Sequence, residues 1–78
     1  MKTISKDALK NMLRRKEGWK LVPDGVKDLL TDVVYKQLAN GTWRNGNPEA
    51  ILIAYAIVAV SYKNGMWWHY DLIHKTWF

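Results

Sequence analysis

Apolar residues recur at helical spacing through the first half of the chain. Ala8, Leu9, Met12 and Leu13 form a narrow stripe, and Lys6, Lys10 and Arg14 follow one another four residues apart along its flank. Ser5 stands where an N-cap is needed, Ile4 and Leu9 have the spacing of a hydrophobic staple, and Gly18 supplies a stop. The pattern predicts a helix over 6–17 that packs along one edge. A second helix is predicted over 24–39, opened by Pro23-Asp24-Gly25 with early carboxylates that suit the helix dipole and closed by Asn40-Gly41. Val26, Leu29, Leu30, Val33, Val34 and Leu38 cover about half its circumference, at roughly 100° per residue, and Asp28, Asp32 and Lys36 lie opposite. Gln37 falls inside the apolar arc, where its amide needs a partner or costs about 1–3 kcal/mol.

The second half is more apolar and less periodic. Asn47, Pro48 and Glu49 give a strong helix start, and the run from Ala50 to Val60 is apolar on all sides. Its β-branched residues (Ile51, Ile53, Ile57, Val58, Val60) also suit a buried strand. Sixteen residues to Asn64-Gly65 is long for one strand, so a third helix is expected over 48–63. In the last segment, 66–78, Met66, Tyr70, Ile73 and Trp77 fit a helical stripe, while Trp68, Tyr70 and Leu72 alternate as in a strand. A helix is expected there, the alternative being a short strand paired with residues 19–22.

Together these elements predict an all-α fold, a small bundle of three long helices with an aromatic C-terminal segment. The expected core is Leu9, Leu13, Val26, Leu29, Leu30, Val33, Leu38, Leu52, Ala54, Tyr55, Val58 and Ile73. With 78 residues a second core does not fit, so residues 1–78 form a single domain. A hydrophobic content of 49% with 24% charged residues excludes a disordered tail or a low-complexity linker. The chain has no Cys, hence no disulfide framework and no thiol nucleophile, and a reducing cytoplasm is the expected home. No apolar run approaches the roughly 18 residues of a membrane span, and Lys2, Lys6 and Lys10 interrupt any secretory h-region.

Net charge changes the picture more. The excess of +5 sits within residues 1–20, where Lys2, Lys6, Lys10, Arg14, Arg15, Lys16 and Lys20 face only Asp7 and Glu17. That asymmetry suggests an anionic partner. Lys6, Lys10, Arg14, Arg15 and Lys16 are the candidate contacts, with nucleic acid as one possible ligand. Asp7 and Glu17 stand three residues from Lys10 and Arg14 and answer part of the charge.

Catalytic signatures are lacking. His69, Asp71 and His74 resemble a metal set superficially, but neither helix nor strand geometry turns both imidazoles toward one ion. No cofactor, metal site or catalytic residue is expected. The Trp content points instead to protein binding. Five Trp residues bring more apolar surface than so thin a core can hide, and Trp and Arg dominate interface hot spots. Trp43 and Arg44, between two predicted helices, and Trp67, Trp68 and Trp77 are the candidate contacts. The function expected is that of a small non-enzymatic regulator or inhibitor, of bacterial or phage type, binding a protein with an acidic surface. The uniformly apolar third segment further suggests a homodimer.

Overall fold

A computed structural model describes residues 5–40, 45–54 and 57–78. Two helices, α1 (Lys6–Leu13) and α2 (Asp24–Ala39), precede four strands: β1 (Pro48–Ala54), β2 (Ile57–Tyr62), β3 (Trp67–Asp71) and β4 (Thr76–Trp77). The strands form one antiparallel meander in chain order, with the helices packed on one of its faces. The expected all-α bundle is therefore incorrect.

The helical half follows its sequence signals. Ser5 Oγ accepts from the Ala8 amide at 3.1 Å, capping α1 as expected. The helix stops at Leu13 rather than residue 17, because the Glu17 carbonyl accepts from the Ile51 amide (2.8 Å) and the intervening residues turn toward β1 to make that bond. Gly18 takes φ +93 beside β1, and a Cβ there would lie 1.7 Å from the Ile51 carbonyl oxygen. Only glycine fits so close an approach at that φ. Residues Trp19–Leu21 then form a single 3₁₀ turn, so they are not a strand partner for the C-terminus. Helix α2 has the expected bounds, with Leu30, Val33, Val34 and Leu38 buried and Asp28, Asp32 and Lys36 exposed.

The expected third helix is a β-hairpin. Ile51 pairs with Val60 and Ile53 with Val58, so alternate residues point to the helices in the period of two that strands impose. Asn64-Gly65 is the turn of the next hairpin, not a helix stop. Gly65 sits at φ +87, the Asn64 side chain accepts from the Met66 amide (3.0 Å), and Tyr62 N–H donates to the Met66 carbonyl (2.9 Å). The expected C-terminal helix is strands β3 and β4, paired with β2 and with each other rather than with residues 19–22.

The core unites Leu9 and Leu13 of α1, the buried face of α2, and Ile51, Val58, Val60, Tyr62 and Tyr70 of the sheet. Of the expected core residues, Leu9, Leu13, Leu30, Val33, Leu38 and Val58 are buried, and Val26 and Leu29 are half-buried. Leu52 and Ile73 are instead 58% and 76% exposed, Ala54 is exposed, and Tyr55 lies outside the described residues. Leu52 and Ala54 were misplaced because a strand sends them away from the face that carries Ile51 and Ile53.

Gln37 is buried and accepts a hydrogen bond from Tyr70 Oη (2.5 Å), which also bonds to Tyr62 Oη (2.5 Å). The amide therefore has the partner that its place in the apolar arc demands.

Candidate functional site: the outer face of the sheet

Strand pairing divides the sheet's residues between two faces. Val58, Val60, Tyr62, Ile51, Ile53, Trp68, Tyr70 and Trp77 point to the helices. Outward stand Ala50, Leu52 and Ala54 of β1, Ile57, Ala59 and Ser61 of β2, Trp67, His69 and Asp71 of β3, and Thr76 and Phe78 at the C-terminal edge. Leu52, Ala59 and His69 form one row across β1, β2 and β3, continued by Phe78 just after β4. The His69 and Phe78 rings stack at 5.1 Å with 13° between their planes.

This outer face is apolar at its β1 and β2 positions 50–54 and 57–59, polar at Ser61, His69, Asp71 and Thr76, and uncovered among the described residues. Leu52, Trp67 and Phe78 are 58%, 45% and 62% exposed, around the low relief of Ala50, Ala54 and Ala59. Asp71 is the one charged residue among these paired outward positions, with Glu49 exposed at the β1 bulge beside them, and its own turn engages Asp71. Asp71 Oδ1 accepts from the Ile73 and His74 amides (3.1 and 3.2 Å), and Oδ2 meets His74 Nδ1 at 2.8 Å. The His74 ring, then these amides, hold the Asp71 carboxyl below the usual carboxylate range. His69 lies on the outer face with its ring on Phe78, and among the described residues no group of three metal-ligating side chains assembles.

The five Trp residues separate accordingly. Trp67 is on the outer face, whereas Trp68 and Trp77 pack against the core from the inner one. Trp43 and Arg44 lie outside the described residues, and Trp19, never a candidate contact, is buried under the Lys27 ammonium, 5.5 Å from its ring. Leu52, Phe78 and the outward alanines were missed in the sequence. The run from Ala50 to Val60 carried the signal for Leu52 and the alanines, since a strand apolar at every position exposes an apolar face on each side of its sheet.

The basic stripe is only partly available. Lys6 pairs with Asp32 at 3.0 Å and Lys10 with Asp28 at 2.5 Å, so α2 rather than Asp7 answers the α1 cations. Arg14 meets the Asn11 side chain at 3.4 Å. Arg14, Arg15, Lys16 and Lys20 gather at the corner between α1 and β1, without an ion pair among the described residues. A third feature is an apolar cavity of about 300 Å³ between α2 and the sheet, lined by Val26, Leu29, Ile53, Val58, Leu72 and neighbours. Its lining side chains offer no polar group to orient a ligand.

Compared with known proteins, the chain matches no family model, no curated protein and no solved structure. Among the described residues no helix is long and apolar enough to cross a membrane.

Proposed function

We propose that the chain is a small non-enzymatic interaction protein of the cytoplasm that binds and modulates another protein. The observation that carries this reading is the uncovered apolar face of the sheet, with Leu52, Trp67 and Phe78 exposed on it. Exposed apolar surface of this kind is costly in water unless a partner covers it, and Trp is prominent among the residues that anchor interfaces. The corner cations Arg14, Arg15, Lys16 and Lys20 add attraction toward an acidic surface and speed encounter with it.

Crosslinking of the tagged chain in the cells that make it, followed by nuclease treatment and mass spectrometry, tests this. A nuclease-resistant protein complex is expected, lost in Trp67→Ser. If nucleic acid alone co-purifies and no protein is captured, the proposal fails.

The unpaired cluster at the corner favours a second reading, nucleic-acid binding. Its footprint is Arg14, Arg15, Lys16 and Lys20, because Lys6 and Lys10 are engaged by α2. Phosphate contacts from these side chains give a log–log salt slope that shrinks in Arg14→Glu or Lys16→Glu. A slope unchanged by either substitution removes that reading.

A further inference from the structure

We infer that the outer face of the sheet is the interface with a second copy of this chain. The inference rests on the proposal that this face binds protein, and it names the occupant. Over 50–54 and 57–60 strands β1 and β2 are apolar on both faces, the pattern of a sheet covered on both sides, whereas a half-solvated antiparallel sheet alternates apolar with polar. The helices cover one face, and the other lacks its layer.

Charge selects the occupant. An acidic partner is drawn to the corner cations beside β1 rather than to the face itself, whose paired outward positions hold no Lys or Arg. A second copy meets a surface like its own, whose acidic groups are Asp71, held by its own turn, and Glu49 at the β1 bulge. Each chain carries +5, yet the cations of the α1 corner lie beside β1 and not on the face, so copies packed sheet to sheet keep them out of the contact.

Area and relief agree with a two-fold pair. Four strands about 4.8 Å apart, with outward rows spanning about five residues of roughly 3.3 Å, outline roughly 300 Å². Side-chain relief about doubles that accessible area, giving on the order of 1,000–1,200 Å² for two copies, the lower limit for a specific interface. A two-fold axis through the face sets Leu52, Trp67 and Phe78 of one copy around the low surface at Ala59 of the other, an isologous contact. An interface of this size implies a reversible dimer.

Sedimentation equilibrium of the purified full chain, from low to high micromolar concentration, tests the inference. The expected mass rises from 9.1 kDa toward twice that value with concentration. Leu52→Lys and Trp67→Ser, both at exposed positions, should weaken association roughly tenfold or more with the circular dichroism spectrum unchanged. Ile73→Lys, exposed but off the sheet face, should leave it intact. A mass of 9.1 kDa at every concentration overturns the inference, as does a dimer indifferent to both Leu52→Lys and Trp67→Ser. A chain that is monomeric when pure, yet forms a Trp67-dependent complex with a different protein in cells, overturns the second copy while the wider proposal stands. Loss of both overturns both.

Discussion

Alkaline pH is expected to unfold this domain through two tyrosines. Tyr62 and Tyr70 are fully buried, and their hydroxyls join each other and Gln37 in one chain of hydrogen bonds. Burial pushes the Tyr62 hydroxyl up to about 12, with its bond to Tyr70 pulling the other way. Burial, followed by the neighbouring Tyr62, raises Tyr70 further still. Both are thus protonated in the fold at a pH where the unfolded chain ionises them, near 10. The unfolded state then binds fewer protons, so stability falls as pH rises. The contribution is complete below pH 10 and is lost progressively above it, through about 12 for Tyr62. By about pH 11 each tyrosine removes about 1.4 kcal/mol, or about 2.8 kcal/mol for the pair. A domain of this length holds on the order of 4–12 kcal/mol in total, so the loss is a large share.

Urea unfolding followed by circular dichroism at stepped pH measures the slope, and ultraviolet absorbance reports tyrosinate. In Tyr70→Phe the slope above pH 10 should be about half that of the wild type. That variant should also lose about 1–3 kcal/mol at neutral pH, because the buried Gln37 Oε1 is left without its donor. If the tyrosinate signal assigned to Tyr62 and Tyr70 by their Phe variants forms while the spectrum stays native, the buried chain of hydroxyls is refuted.

Three further outcomes are expected from the packing. Gly18→Ala should cost several kcal/mol in chemical denaturation, since the new Cβ meets the Ile51 carbonyl oxygen at 1.7 Å and φ +93 is strained for any side chain; a loss below about 1 kcal/mol would show that this approach relaxes freely. Gly25→Ala, in the first turn of α2 with nothing within 4 Å of the added methyl, should raise stability by about 0.4–1 kcal/mol, or a few degrees in melting temperature. Leu30→Ala, fully buried between helix and sheet, should cost about 2–5 kcal/mol by cavity formation, and a change near zero would place Leu30 outside the core.

How legible the fold was depended on whether the decisive signal was local. The Ser5 cap and the apolar arc of α2 are contained within their own helices, and both are found where the sequence put them. The end of α1 is set by a bond from Ile51 to Glu17, whose partner lies 34 residues away, and no periodicity in residues 6–17 encodes it. The hairpin of β1 and β2 was hidden for a different reason. Asn47-Pro48-Glu49 has the chemistry of a helix start, and positions 55–56 carry none of the Gly, Asn, Asp or Pro that usually mark a turn. Sixteen residues, 48–63, with no visible break therefore resembled one long element.

That single misassignment accounts for the next one and also hid the candidate site. A C-terminal strand was disfavoured because its backbone groups had no neighbour to pair with, an objection that holds only while residues 48–63 are a helix. Once β2 exists, Val58 pairs with Tyr70 and Val60 with Trp68, and the alternation of Trp68, Tyr70 and Leu72 acquires its cause. The consequence for function follows from the same geometry. A helix apolar all round asks to be enclosed by other helices, whereas two strands apolar on both sides make one face for the core and one that still needs a cover. The surplus of Trp surface is likewise divided, with Trp68 and Trp77 drawn inward by their register and Trp67 turned out by its own. The outer face is thus a consequence of register: shifting β3 by one residue would exchange Trp67 for Trp68 and carry Tyr70 away from Gln37. The buried bond between Tyr70 and Gln37 holds the strand in a register that leaves Trp67 exposed on the face that carries Leu52 and Phe78.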